Sequence, residues 1–146
     1  MKLLVKKLHE DAIVPKYATE GSVAFDICSI EDLWLYGQTG FVTFVKTGLA
    51  FAIPMGYEMN VRARSGLSIK YPNYIAIAGG GTIDSDYRGE IMVPVVNNST
   101  EVWEIKKGDR IAQCIVAPVE ICELKLIESL PKTKRGSGGF GHTGVK

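Results

Sequence analysis

Polar and apolar residues alternate over much of this chain. Tyr57, Met59, Val61 and Ala63 fall on one face of an extended segment, and Glu58, Asn60, Arg62 and Arg64 on the other. Short apolar runs bounded by Gly and Pro, Phe41 to Val45 and Leu49 to Ile53, read as further strands. Ile91 to Val96, Val102 to Ile105 and Arg110 to Val116 continue the pattern. Turn residues recur at 37–40, 54–56, 97–99 and 107–109. Helical periodicity is scarce. One short helix is predicted over Gly66 to Tyr71, stopped by Pro72. Many short strands with regular turns predict an all-β sandwich or barrel.

From Pro131 onward the apolar pattern stops. Five of the nine residues from Gly136 to Gly144 are glycine. Such a segment cannot offset its ordering entropy by burial. It reads as a solvated terminus or as an arm that orders over a ligand. Phe140, a lone aromatic among glycines, favours the arm, because it suits stacking on a base. The expected organisation is therefore one domain over residues 1–130 and a flexible C-terminal arm over 131–146.

Composition narrows the function classes. A chain of 146 residues is long enough to bury a core without disulfides. The net charge of +1 provides no broad electrostatic footprint for nucleic acid. Anion binding must come from locally placed Arg, Lys and backbone N–H groups. Cys28, Cys114 and Cys122 are odd in number and not spaced as metal ligands. The start, Met1 to Val5, is too short for an apolar signal region and is cut by Lys6 and Lys7. No apolar run approaches membrane-spanning length. Cytoplasmic residence with reduced thiols is expected (nuclear or host cytoplasm for a eukaryotic or viral source), with no membrane and no nucleic-acid partner.

Residues 79–90, Gly-Gly-Gly-Thr-Ile-Asp-Ser-Asp-Tyr-Arg-Gly-Glu, carry the most chemistry. Glycines let a ligand approach the backbone closely. Asp84 and Asp86 follow, then Tyr87 and a turn glycine, Gly89. The segment reads as a β-hairpin holding something flat and polar with an acid at its edge. An Asp in a Gly-rich turn is commonly an Asx-turn partner of the backbone. A carboxylate there can instead activate a water. Four other stretches accompany it: Ala24-Phe25-Asp26-Ile27, Arg64-Ser65-Gly66-Leu67-Ser68, Gly108-Asp109-Arg110-Ile111-Ala112-Gln113, and Arg135-Gly136-Ser137-Gly138-Gly139-Phe140-Gly141-His142-Thr143-Gly144.

These five stretches, in this order and spacing, resemble the five motifs of the trimeric dUTPase family, the deoxyuridine triphosphate nucleotidohydrolases. The resemblance spans Pro15 to Gly144. It implies a distorted jelly-roll barrel of the β-clip type with one short helix. It also implies Mg²⁺-dependent hydrolysis of dUTP to dUMP and pyrophosphate, by a homotrimer whose active sites are shared between subunits. Such an activity limits uracil incorporation into DNA and supplies dUMP for dTMP synthesis. The sister enzyme dCTP deaminase shares the fold but uses a glutamate in this region.

Carried over residue by residue, the resemblance makes Asp84 the group that orients the water attacking the α-phosphorus. Tyr87 would pack against the deoxyribose, and the backbone of Gly81, Thr82, Ile83 and Asp84 would read uracil. Met92 would lie near that pocket, or fill the core. Arg64 and Ser65, with the amide of Gly66, would bind phosphate. Ser65 would also open the helix, and a capping role can coexist with binding. Gln113 would touch the phosphates. Asp26 would contact Mg²⁺ through water, the ion being held mainly by the triphosphate. Arg135 would hold phosphate and Phe140 would stack on uracil. Gly141, His142 and Thr143 would reach the γ-phosphate. Arg110 is left open between phosphate and a partner, Asp86 or Asp109. Asp86 reads as a structural or ion-pairing carboxylate.

Overall fold

A computed structural model describes residues 1–37, 41–71 and 81–139, together with the backbone of Tyr74–Ala76. It is mostly β, as the alternation predicts. The strands are β1 (Leu4–Lys7), β2 (Phe25–Cys28), β3 (Leu33–Leu35), β4 (Thr43–Lys46), β5 (Leu49–Ala52), β6 (Tyr57–Arg62), β7 (Tyr74–Ala76), β8 (Thr82–Ile83), β9 (Met92–Asn97), β10 (Trp103–Ile105) and β11 (Arg110–Pro118). The one helix, α1, spans Ser65–Lys70 between β6 and β7.

All pairings are antiparallel. They form four ladders: β1-β5, β10-β3, β2-β11-β6-β8 and β4-β9-β7. Among the described residues no strand pairs with the next one in sequence, so each turn carries the chain from one ladder to another. This corrects the expected hairpin at 79–90. β8 pairs with β6, Ile83 facing Met59, whereas β9 pairs with β4 and β7. The acidic turn is therefore a crossover between two sheets. Local alternation marks both strands but carries no information about which partner each one takes.

β6 realises the predicted two faces: Met59 and Val61 are buried, and Arg62 is exposed. They join Ile27, Leu49, Ile91, Val93, Val95, Ile105, Ile111 and Cys114 in one core cluster. Burying each large aliphatic side chain is worth roughly 1.5–3 kcal/mol. Phe25 packs over Phe51 with ring centroids 6.0 Å apart and meets Tyr17 edge-on at 5.5 Å. Trp103 is in the core, whereas Trp34 is 57% exposed. Asn97, the buried polar residue of β9, donates from Nδ2 to the carbonyls of Leu35 and Glu101, both at 2.7 Å. Those bonds satisfy a group that would otherwise be costly to bury.

Core burial also decides the thiols. It pushes Cys114 up to about 12 from its ordinary 9.0. Cys28 is raised as well, first by burial, although Arg110 and Arg64 act against the shift. The sequence places no basic cluster beside any cysteine; the fold does so for Cys28. For Cys114 the folded state favours the neutral thiol. Its contribution to stability is complete below about pH 9 and is lost as the pH rises toward 12. The loss over that window is on the order of 4 kcal/mol. The unfolding midpoint is expected to fall more steeply above pH 9 for the native chain than for Cys114→Ala. Equal slopes in a thermal melt series would contradict this.

Candidate active site

β2, β11 and β6 lie side by side, and their register gathers the charged residues at one end. Gln113 of β11 faces Asp26 on one side and Arg62 on the other. The register of β11 against β2 shifts between Arg110 and Ala112. A bulge of this kind re-aims the side chain beside it. Here Arg110 Nη1 donates to Asp26 Oδ2 at 3.3 Å. From the end of β6, Arg64 Nε donates to Asp26 Oδ1 at 2.8 Å, and its Nη1 donates to the carbonyl of Arg110 at 3.2 Å. Asp26 is thus clasped by two arginines, with its side chain 28% exposed. The partner of Arg110 is Asp26, neither Asp86 nor Asp109.

Two guanidiniums on one carboxylate leave the cluster positive, in a site where an anion is only partly screened. Around it opens a cleft of about 800 Å³, lined by the 13–24 loop and by Asp26, Cys28, Arg110 and Gln113. A second, more polar cleft of about 490 Å³ lies on the other side of Arg64 and Arg110 and includes Lys70.

Arg64, not Ser65, occupies the helix cap position, with extended backbone and no side-chain cap bond. Its guanidinium is engaged by Asp26 instead. Ser65 is the first helical residue, and its hydroxyl is exposed. The carbonyl of Arg64 accepts from the amides of Leu67 and Ser68. The amides of Ser65 and Gly66 have no acceptor among the described residues, as expected at a helix start. Gln113 Nε2 donates to the carbonyl of Ala63 at 2.8 Å and so fixes the entry to this turn. Asp26, Arg64, Ser65, Gly66, Arg110 and Gln113 therefore form one group.

The acidic turn lies elsewhere. The carbonyl of Gly81 accepts from Val61 N–H at 2.7 Å, and Thr82 lies beside Asn60. Asp84 follows directly on the Ile83–Met59 pair. Met59 and Arg64 are five residues apart on or just beyond one strand, a separation of about 16 Å. The Asp84 carboxylate is exposed and accepts no hydrogen bond among the described residues. The turn closes instead through the Asp84 carbonyl, which takes the Tyr87 amide at 3.2 Å. The Asx-turn alternative is thereby set aside, and the carboxylate is available to a water. Tyr87 is 42% exposed and its hydroxyl donates to the carbonyl of Glu90 at 3.1 Å. Met92 is 41% exposed at the start of β9, so it is not a core methionine. Asp86 is exposed and has no ion pair among the described residues.

Arg135 lies in a local turn of the C-terminal segment, its Nε donating to the carbonyl of Gly138 at 2.9 Å. It makes no contact with the Asp26 cluster in this chain. Phe140, Gly141, His142 and Thr143 lie outside the described residues.

Asp26 is the carboxylate of this group that could face a metal. Each of its oxygens meets one arginine and retains further lone-pair capacity. Among the described residues no three His, Cys, Asp or Glu side chains stand together as a cation cage. A lone carboxylate in a charged cleft fits Mg²⁺, which keeps several waters and takes few protein ligands.

The dUTPase family model matches residues 10–144. A deoxyuridine 5'-triphosphate nucleotidohydrolase of Nautilia profundicola is 49% identical over 144 residues, 99% of each chain. One from Helicobacter pylori strain Shi470 is 43% identical over 145 residues, 99% of this chain and 98% of that one. Among solved structures, the dUTPase of Staphylococcus bacteriophage 80alpha with dUPNHPP superposes with a TM-score of 0.89. It is 29% identical and covers 99% of both chains. A mutant dUTPase of S. aureus phage phi11, described with a structural Mg(II) ion, superposes at 0.79. It is 27% identical and covers 88% of this chain and 98% of that one. The interleaved strands are thus a distorted jelly roll, a hydrolase fold with its charged clefts at the strand ends. The chain belongs to the dUTPase family.

The 13–24 loop that walls the larger cleft and the pairing of Arg110 with Asp26 are the parts of the site that sequence reasoning missed. The first carries no motif. The second depends on a bulge, which has no residue signature here.

Proposed function

We propose that this chain hydrolyses dUTP to dUMP and pyrophosphate. The observation that carries the reading is a division of the molecule. An exposed carboxylate, Asp84, with no hydrogen bond among the described residues stands in the turn after β8, and a positive cluster built on Asp26, Arg64 and Arg110 stands at the far end of β6.

Asp84 holds a water and takes its proton as the water oxygen bonds to the α-phosphorus. The bond from that phosphorus to the α–β bridging oxygen breaks, and pyrophosphate leaves with the electron pair. Arg64, Ser65, the Gly66 amide and Gln113 bind the phosphate chain, and Arg110 adds charge from the same cluster. Asp26 would hold a Mg²⁺ ion through water. When bound, the ion neutralises charge on the phosphates and the leaving group. The backbone of Gly81 to Asp84 reads uracil, the Tyr87 ring excludes a 2′-hydroxyl, and Met92 borders the pocket. In the arm, Arg135 adds charge to the phosphates, Phe140 stacks on the base, and Gly141, His142 and Thr143 reach the γ-phosphate. The domain boundary at 130/131 follows from that assignment. A cytoplasmic setting suits a nucleotide substrate, and among the described residues no helix is long and apolar enough to cross a membrane.

Asp84 follows the Ile83–Met59 pair, and Met59 lies about 16 Å along the strand from Arg64, a span too long for both groups to touch one α-phosphate. Both serve one nucleotide only if the site draws on more than one copy. A site that draws on more than one copy agrees with the homotrimer with shared sites that the family resemblance implies, and we propose that assembly here. Exposed apolar side chains at Ile121, Leu124, Leu126 and Leu130 give the segment leading to the arm a surface to place on a neighbour. Co-expression of Asp84→Asn with Arg64→Ala tests this. Each variant alone is expected to be nearly inactive, and mixed oligomers are expected to recover measurable pyrophosphate release from dUTP. No recovery in co-purified mixed oligomers would place the site within one chain. Release measured with dATP, dCTP, dGTP and dTTP in parallel tests the substrate.

A further inference from the structure

The turn that carries Asp84 and Tyr87 is held by restraints that no motif describes. A side-chain carbon on Gly89 would lie 2.3 Å from the Tyr87 hydroxyl oxygen, 2.6 Å from Cζ and 3.0 Å from Cε2. The hydroxyl end of the Tyr87 ring therefore sits against the Gly89 backbone, in space that the side chain of any other residue would fill. Gly89 is not in the left-handed region, so the backbone itself accepts alanine. What alanine displaces is the ring.

The next residue anchors the turn. Tyr87 donates its hydroxyl to the Glu90 carbonyl at 3.1 Å, and the Glu90 carboxylate accepts the Gly48 amide at 2.8 Å. Gly48 sits at φ 65°, and a side-chain carbon there would meet Ala12 at 2.9 Å and His9 at 3.0 Å, so this corner is closely packed and suits only glycine. Two further bonds tie the same strand ends together: Ile91 N–H to the Leu49 carbonyl at 2.8 Å, and Thr47 Oγ1 to the Ile91 carbonyl at 2.6 Å. On the outer side, Arg88 Nη1 bridges the carbonyls of Ser85 and Tyr87 at 2.7 and 2.8 Å.

We propose that Gly89 and Glu90 are positioning residues that set the Tyr87 ring before nucleotide binds, and that discrimination between deoxyribose and ribose depends on them. The sugar part of this inference rests on the function proposed above; the ring-setting part rests on geometry alone. A ring lying on its own turn and tied to a core corner presents a fixed wall. A wall that yields by an ångström admits a hydroxyl. Side-chain rotation alone would lose much of that selectivity.

The test is a double-mutant cycle on the full chain. Gly89→Ala is expected to narrow the ratio of kcat/KM for dUTP over UTP by about tenfold or more. The KM for dUTP should rise more than kcat falls, because Asp84 is untouched. In a Tyr87→Ala background the same change should have little further effect. Glu90→Ala is expected to behave like Gly89→Ala, and Glu90→Gln, which keeps the acceptor for Gly48, to restore the native ratio. In parallel, ¹⁹F spectra of 3-fluorotyrosine-labelled protein report the ring, the Tyr87 resonance being assigned with Tyr87→Phe. That resonance should move in Gly89→Ala and Glu90→Ala and stay in place in Glu90→Gln. An equal loss of discrimination in the Tyr87→Ala background, or an unmoved resonance in Gly89→Ala, would overturn the proposal. If Tyr87→Ala alone leaves the ratio unchanged, the sugar contact fails while the resonance still decides whether the ring is set by Gly89.

Discussion

Asp84→Asn is expected to keep dUTP binding and to lose hydrolysis by ~10²–10⁴-fold, the range a positioned general base contributes. The amide is nearly isosteric with the carboxylate. The side chain of Asp84 takes no part in closing its turn, which uses the Asp84 carbonyl and the Tyr87 amide. The substitution therefore removes the proposed base without removing the backbone proposed to read uracil. Steady-state turnover and nucleotide binding by calorimetry separate the two effects. The free state of the carboxylate sharpens the expectation. If Asp84 had been an Asx-turn partner, its loss would cost stability first and activity second. Near-normal turnover in the variant would assign the water to another group, and an equal loss of binding and turnover would make Asp84 a structural residue.

Removing residues 135–146 is expected to leave a folded protein that binds dUTP weakly and turns it over about 10²–10³-fold more slowly, the order seen when a donor to developing charge is lost. In this chain Arg135 spends its Nε on the carbonyl of Gly138, within its own turn, and touches neither the Asp26 cluster nor Asp84. Its contribution must therefore be made on another copy or after rearrangement with nucleotide present. Among the described residues the core cluster and the side chains packed against it reach no further than Val116, so the truncation leaves that packing in place. Amide exchange across the arm, with and without a non-hydrolysable dUTP analogue and Mg²⁺, should show protection only in the complex. Full turnover of the truncated chain would remove the arm from the mechanism.

The two experiments address different halves of one site. Asp84 tests the proposed water, and the arm tests the charge and stacking proposed to close on the nucleotide. The ion pairs around Asp26 link them. A triphosphate entering the cleft offers Arg64 and Arg110 a second set of oxygens, in a place where they are already paired and oriented.

Alternation along Tyr57–Ala63 and the β-rich runs around Leu49, Val93 and Ile111 were enough to determine a β protein with its core faces. A β-strand shows its two faces in every second residue, whatever it pairs with. The helix was legible to within a residue, because Pro72 stops it and Arg64-Ser65-Gly66 starts it. The five motifs, read together, were enough to assign the family and the candidate residues. Tertiary structure alone decided the rest. Pairing partners are set by side chains far apart in sequence, so the stretch at 79–90 reads as a hairpin, whereas its described part, from Gly81 on, crosses between two sheets. The bond of Arg110 to Asp26 depends on a bulge at Ile111 and on β2 lying beside β11, 84 residues away in sequence. Arg64 at the cap position makes no side-chain cap bond and gives its guanidinium to Asp26, a partner that no local rule for helix ends contains. Gly89 looks like an ordinary turn glycine until the Tyr87 ring is seen lying on it, since close approach is a property of the folded chain and not of the residue.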